Sequence, residues 1–281
     1  MRKIDRLGWA AGFSFTSYGL TVGVRVSDPA ALGLVAERLP PGWKPSAAQV
    51  AGRLYSLKVG GAGVRPGLRQ FSLLYGDIAL LARSVDFEAV LDAFESDLKM
   101  YVAEFARRRV FVHAGVVGWR GRAVIIPGAS LSGKTTLVAE LVKAGADYYS
   151  DEYAVLDARG RVHPYPQPLQ VRESREARQT KVPPESFGGR PGRRPLAPGL
   201  VVSTSYKAGA RWRPRHLSVG HGLLELLSNT VPARRCPREA LTALKAIVGE
   251  APVIKGARGE AARAADEILN YLETEGRELG G

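Results

Sequence analysis

The residues most able to do chemistry lie in the stretch 124–138, where a Gly-x-x-x-x-Gly-Lys-Thr pattern joins an apolar run to a helix-like segment. Gly128 and Gly133 allow the backbone to turn so that its N–H groups converge, and the following helix directs its positive end at the same point. Lys134 can reach the outer phosphates of a nucleotide, and the Thr135 hydroxyl can ligate magnesium. The predicted nucleotide-binding residues are Gly128, Ala129, Ser130, Leu131, Ser132, Gly133, Lys134, Thr135 and Thr136.

The alternative is a chance match, since the chain contains 32 glycines. The flanks of the loop argue against chance. The run from Val124 to Ile126 is typical of a buried strand, and apolar residues recur at helical spacing after the loop. Gly145 stands where the end of that helix favours a left-handed residue. We therefore expect a nucleoside triphosphate site using ATP and Mg²⁺, although the loop does not distinguish ATP from GTP.

A second group of residues could complete a phosphoryl-transfer site. Transfer to a hydroxyl needs an acidic anchor for the metal, a base for the acceptor and a residue that orients the base. Asp151 and Glu152 follow Lys134 by one helix and a short connection. Neighbouring strand residues point to opposite faces, so one carboxylate could face the metal and the other the acceptor. His113, on the strand before the one that enters the loop, could lie beside Asp151; the alternative is a surface acid pair and a packed histidine.

Composition excludes several classes of protein. The 281 residues are 45% hydrophobic and 24% charged, which is ordinary for a globular chain of one large or two modest domains. The only cysteine, Cys236, excludes an internal disulfide and a cysteine-based metal cage. Apolar runs are too short for a membrane span, and the first six residues make a poor signal peptide. These features predict a cytoplasmic protein.

Positive charge is concentrated in one part of the chain. The formal net charge is +13, and the segment 172–216 holds eleven Lys or Arg against three Glu. Such a segment could meet nucleic acid, an acidic protein or nucleotide phosphates, or it could be a solvated loop. Its few aromatic residues and its Gly- and Pro-rich part at 183–198 favour a mobile basic segment near the active site over a nucleic-acid platform.

The pattern of elements predicts two domains. Residues 1–108 read as a small α+β scaffold or recognition domain, closed by an amphipathic helix over 87–107. Residues 109–281 begin with a strand pair, 110–119 and 122–127, that feeds the phosphate loop. Two strand pieces then flank Asp151 and Glu152. The fold class expected from this order is α/β with a mixed sheet.

Three stretches together resemble the catalytic domain of HPr kinase/phosphorylase, and most of all the HPr kinase-related proteins of bacterial gene clusters. They are Val112-His113-Ala114-Gly115-Val116, the loop at 128–136, and Tyr149-Ser150-Asp151-Glu152. A later stretch, 160–172, is also similar to these kinases. The resemblance spans roughly residues 109–270. It implies the mixed-sheet domain that this family shares with ATP-dependent phosphoenolpyruvate carboxykinase.

The resemblance also implies roles for individual residues. Asp151 would be the base that accepts the proton of a serine-like hydroxyl, and His113 would pair with it. Thr135 and Glu152 would hold the metal, with Asp151 close enough to contribute. Lys134 and the loop amides would bind phosphate. Kinases often bring an arginine or lysine to the transferring phosphate. Arg172, Arg211, Arg213 and Arg215 could each do so or be solvated, and Arg172 is preferred because it lies within the similar stretch.

This chain departs from true HPr kinases at two places. It has Thr135-Thr136 where they have Ser-Glu, and Asp151-Glu152 where they have Asp-Asp. The acceptor therefore stays open among a protein, a peptide such as a lasso-peptide precursor, and a small molecule, as does a reverse phosphorylase reaction. The resemblance is consistent with a homo-oligomer.

Three functions remain in order of preference. The first is an Mg-ATP-dependent kinase that phosphorylates a hydroxyl, with serine preferred. The second is a nucleotide-dependent binding or regulatory module without phosphoryl transfer. The third is a nucleic-acid-linked NTPase, which ranks last because the basic residues lie in a Gly- and Pro-rich segment without a nucleic-acid motif.

Overall fold

The computed structural model describes residues 3–60, 70–128, 132–171 and 180–278. The chain divides into two compact units, Met1–Arg108 and Arg109–Gly281, which we call unit 1 and unit 2. Within the described ranges, no helix has the length and apolar character needed to cross a membrane.

Unit 1 is built on a six-stranded sheet of order β3-β1-β2-β4-β5-β6, in which only the β2–β4 pair is parallel. Its strands are β1 (Ala11–Ser17), β2 (Leu20–Val26), β3 (Lys44–Ser46), β4 (Arg53–Lys58), β5 (Ser72–Gly76) and β6 (Ala79–Ser84), and its helices are α1 (Ala31–Ala36) and α2 (Phe87–Phe105). Helix α2 begins at the Asp86 cap, whose carboxylate accepts from the Glu88 amide at 3.0 Å. It ends at Phe105, two residues before the predicted end, and packs its apolar face on β5 and β6.

Unit 2 contains a mixed eight-stranded sheet of order β11-β10-β7-β8-β14-β16-β15, with β9 also paired to β7. Its strands are β7 (Val110–Trp119), β8 (Arg122–Pro127), β9 (Asp147–Ser150), β10 (Tyr153–Leu156), β11 (Val162–His163), β14 (Ala197–Tyr206), β15 (Arg215–His216) and β16 (Val253–Arg258). A separate pair joins β12 (Leu169–Val171) to β13 (Thr180–Val182). The helices are α3 (Lys134–Lys143), α4 (Val219–Leu227), α5 (Pro237–Glu250) and α6 (Ala261–Glu278).

Helices cover both faces of the sheet in unit 2. Side chains of α3 and α6 pack with one face, and side chains of α4 and α5 pack with the other. Strands β8, β14 and β16 run parallel to one another, and most of β8 and the middle of β14 are buried. This arrangement explains why the sequence from Val124 to Ile126 is continuously apolar instead of alternating.

The structure has the mixed α/β class that the sequence predicts, with mixed sheets and six α-helices in its described residues. The predicted mobile loop at 183–198 is only partly irregular, because it holds a 3-10 helix at Pro184–Phe187 and the start of β14. Strands β3, β12, β13 and β15 were not foreseen, since two or three residues are too few to show a period.

Candidate functional site

The phosphate-loop pattern lies between the end of β8 and the start of α3, as a nucleotide loop requires. Gly133 caps α3 with φ of +81°, a left-handed conformation that favours glycine. The Gly128 amide donates to the His113 carbonyl at 3.1 Å, which ties the loop entrance to β7. The middle of the predicted loop, Ala129, Ser130 and Leu131, lies outside the described residues.

Helix α3 ends as the sequence predicts. Gly145 has φ of +100°, and its amide donates to the Val142 carbonyl at 2.9 Å. The Ala146 amide donates to the Leu141 carbonyl at 3.1 Å. These two bonds form a Schellman motif, so the short connection to β9 begins immediately after the helix.

Lys134 folds back over the loop. Its Nζ donates to the Gly128 carbonyl at 2.6 Å, which joins the first glycine of the pattern to the lysine. Burial lowers the pKa of Lys134, while the charges of Asp151 and Glu152 oppose that shift. The ammonium therefore lies in the same electrostatic environment as both carboxylates of the acidic pair.

Ser150 produces the bend that separates β9 from β10. Its Oγ accepts from the Glu152 amide at 3.1 Å and from the Tyr153 amide at 3.0 Å. A serine that accepts two nearby amides replaces ladder bonds with a local turn. The bend places Asp151 and Glu152 in different surroundings: Asp151 is buried, and Glu152 is half-buried.

Asp151 contacts the loop helix directly. Its Oδ2 accepts from Thr135 Oγ1 at 3.2 Å and from the Gln170 amide at 3.1 Å, and Tyr148 Oη donates to its Oδ1 at 3.2 Å. These partners, in the described part of the chain, are neutral. Burial raises the pKa of Asp151, whereas the Gln170 amide opposes the shift. A carboxylate held beside the Thr135 hydroxyl offers two oxygens to a hard cation.

His113 lies near Glu152, the second carboxylate of the acidic pair. The His113 ring packs against Tyr153, with ring centres 4.8 Å apart. Burial lowers the pKa of His113, Lys134 lowers it further, and Glu152 opposes them. The resemblance predicts that His113 pairs with Asp151; in the structure its ring packs on Tyr153, and the charges that act on it are those of Lys134 and Glu152. A neutral imidazole near pH 7 follows.

The residues present fit a magnesium nucleotide. Ser132 Oγ is buried with no hydrogen-bond partner in the described part of the chain, and a Cβ at Gly128 would lie 2.9 Å from it. An unsatisfied hydroxyl beside a glycine that leaves room suits a phosphate oxygen. The described residues contain no cluster of three or more His, Cys, Asp or Glu side chains arranged so that they could hold a metal ion by themselves. Mg²⁺ needs no such group, because it keeps waters and phosphate oxygens as ligands.

Two predicted residues remain to be placed. Thr136 is exposed on the first turn of α3. Arg172 lies outside the described residues.

Sequence reasoning missed Arg258, the last residue of β16. The residue is only 3% exposed, and its Nη2 donates to the Gly133 carbonyl at 2.9 Å. Its Nη1 donates to the Gly259 carbonyl at 3.1 Å. The signal was an arginine at the end of the last apolar strand, but only strand order reveals that this end meets the loop.

No protein-family model and no curated protein matches the chain. The function must therefore be argued from the arrangement of Lys134, Thr135, Asp151, Glu152 and His113. This arrangement joins a phosphate loop, a hydroxyl–carboxylate pair and a second carboxylate within one unit.

Proposed function

We propose that this protein is an Mg²⁺- and ATP-dependent phosphotransferase of the HPr kinase-related type, acting on a hydroxyl, with serine of a peptide or protein preferred. The observation that carries the proposal is the 3.2 Å contact between Thr135 Oγ1 and Asp151 Oδ2. It unites the hydroxyl that follows the loop lysine with an acid from the next strand. In phosphate-loop enzymes such a pair holds the magnesium of the bound nucleotide.

The donor half of the reaction would use the loop and its helix. The loop amides and Lys134 would bind the β- and γ-phosphates, and Ser132 would donate to a phosphate oxygen. Thr135 and Asp151 would hold Mg²⁺, which neutralises charge on the phosphates when bound. This assignment gives Asp151 the metal role, whereas the resemblance to HPr kinases gave it the role of base.

The acceptor half would use Glu152 and His113. Glu152 is half-buried beside the Lys134 charge, and it is the carboxylate that Thr135 does not engage. It would take the proton of the acceptor hydroxyl as the oxygen bonds to the γ-phosphorus and the bond to the β,γ-bridging oxygen breaks, releasing ADP. Neutral His113 would orient Glu152 or the acceptor. Tyr153, which is buried against His113, would limit the access of water to the acceptor hydroxyl.

The test is transfer of label from γ-labelled ATP with Mg²⁺ to serine peptides, to HPr and to small hydroxyl compounds. We expect a labelled acceptor with the wild-type protein. Glu152→Gln should abolish transfer but retain the Mg²⁺ dependence of nucleotide binding, while Asp151→Asn should lose both. Nucleotide binding without transfer to any acceptor would favour the regulatory module, and absence of nucleotide binding would refute the site altogether.

A further inference from the structure

The three parallel strands of unit 2 end at one edge of the sheet. Strand β14 pairs with β8 on one side, with Val201 opposite Ile125, and with β16 on the other, with Tyr206 opposite Arg258. The phosphate loop follows β8 at the same edge. Ligands of such sheets bind beyond the carboxyl ends of parallel strands. Tyr206 and Arg258 therefore end beside the loop.

The acidic pair fixes the direction in which a nucleotide would lie. Asp151 and Glu152 belong to the bend between β9 and β10, and both of these strands pair with β7. Strand β7 pairs with β8 on the side opposite to β14. If the outer phosphates meet Thr135 and Asp151, the nucleoside extends away from them, toward the ends of β14 and β16.

A continuous set of contacts joins the loop to Tyr206. Arg258 Nη2 donates to the Gly133 carbonyl at 2.9 Å, and the Cζ atom of Arg258 lies 5.7 Å from the centre of the Tyr206 ring. Tyr206 Oη donates to Glu260 Oε1 at 3.2 Å. These two contacts hold the ring at its hydroxyl and beside one cation. The residue nevertheless remains 53% exposed.

We propose that Tyr206 is the platform on which the nucleobase of the bound nucleotide stacks, with a purine preferred. The ring is held by its two contacts and is partly exposed to solvent. Arg258, which lies beside the ring, also donates to the Gly133 carbonyl of the loop. Aromatic side chains stack on any base, and a larger base gains more contact. Glu260, at the rim of the ring, can accept from an exocyclic amino group or a ribose hydroxyl. This inference rests on the proposed function, because it extends the same nucleotide site.

The test compares two ligands that share phosphates and differ in the nucleoside. Calorimetry would measure the Kd of Mg-ATP and of Mg-tripolyphosphate for the wild type, Tyr206→Ala and Tyr206→Phe. We expect Tyr206→Ala to weaken Mg-ATP about tenfold and to leave tripolyphosphate within about twofold, since stacking is lost and phosphate contacts remain. Tyr206→Phe keeps the ring and should stay within about threefold of wild type for both ligands.

Two controls separate the inference from the proposed function. Lys134→Ala should weaken both ligands, and Leu224→Ala, which trims an exposed side chain of the same unit, should weaken neither. If Tyr206→Ala affects both ligands equally, or neither, the stacking platform is refuted while the phosphate site stands. If the wild type binds neither ligand, the proposed function and the inference both fail.

Discussion

The two units treat buried charge in different ways. In unit 1, Glu95 is 8% exposed and Lys99 is 5% exposed, and their charged atoms lie 3.0 Å apart. Arg38 joins the same cluster through Glu95 at 3.1 Å. In unit 2, Asp151 is 6% exposed and Arg258 is 3% exposed, yet in the described residues Asp151 bonds to neutral donors and Arg258 to main-chain carbonyls.

We interpret the buried charges of unit 1 as structural, and we propose that the buried charges of unit 2 bind a ligand. A buried charge is costly unless an opposite charge or several hydrogen bonds compensate it. Unit 1 supplies that compensation internally. In unit 2 the described hydrogen-bond partners of Asp151 and Arg258 are neutral, and under the proposed function a metal ion and a phosphate chain would supply the opposite charges. The contrast supports the proposal that a phosphotransfer site lies in unit 2.

The largest expected effect is on phosphoryl transfer. Asp151→Asn should lower the transfer rate about 1000-fold, or about 4 kcal/mol, because the loop then lacks its anionic metal anchor. Steady-state transfer from labelled ATP measures it. Asp147→Asn removes an exposed acid at the start of the preceding strand, β9, and is the matched control that should retain activity. Equal rates for Asp151→Asn and wild type would remove Asp151 from the site.

The second effect tests the compensated cluster of unit 1. Glu95→Leu should lower the free energy of unfolding by about 3 kcal/mol, because Lys99 and Arg38 lose a buried acid. Denaturant unfolding followed by circular dichroism measures the change. Glu88→Leu removes a half-exposed partner of Arg38 and should cost less than about 1 kcal/mol. Equal costs for the two substitutions would contradict a special role for burial.

The third prediction concerns a buried charge whose removal, unlike that of Glu95, should not lower the free energy of unfolding. Burial lowers the pKa of Arg258, which means that the protein interior disfavours its charged form. Arg258→Met should leave the free energy of unfolding without nucleotide unchanged or about 1 kcal/mol higher, because an apolar side chain replaces a costly buried charge. The same variant should bind Mg-ATP about tenfold more weakly, or by about 1.4 kcal/mol.

Thermal unfolding with and without Mg-ATP distinguishes the two parts of that prediction. A loss of more than about 2 kcal/mol without nucleotide would show that Arg258 is a structural residue. Arg263→Met, an exposed arginine on α6, should change neither quantity.

The smallest effect depends on pH and concerns an acid of unit 2 that is compensated. Burial would raise the pKa of Asp157, but the hydrogen bond with His163 and the Arg161 and Arg159 amides hold it below its usual 3.8. A lowered pKa adds stability above the unfolded value, and this stability is lost as pH falls through the folded value. Asp157→Asn should therefore cost up to about 1 kcal/mol at pH 7, after allowance for solvent screening, and nothing near pH 2.

Denaturation at both pH values measures this loss. A cost that stays constant between pH 7 and pH 2 would show that the Asp157 charge does not stabilise the turn.

Much of the site could be predicted because its elements are local. The glycine at each end of the loop, the helical spacing of α3 and the left-handed Gly145 all follow from short-range backbone preferences. The two strand pieces around Asp151 and Glu152 are also as predicted. The sequence did not show which carboxylate of the acidic pair contacts Thr135, because that depends on the bend that the Ser150 hydroxyl makes.

By itself, the sequence determined a mixed α/β class, a Gly-x-x-x-x-Gly-Lys-Thr pattern between a buried strand and a helix, and an acidic pair after that helix. These depend on contacts between near neighbours, which composition and period encode directly. Only the tertiary structure decided that Asp151 meets Thr135, that Arg258 reaches the Gly133 carbonyl and that the Tyr206 ring lies beside Arg258. The order and parallel pairing of β8, β14 and β16 create these contacts, and residues 125 positions apart carry no periodic signal of such a meeting.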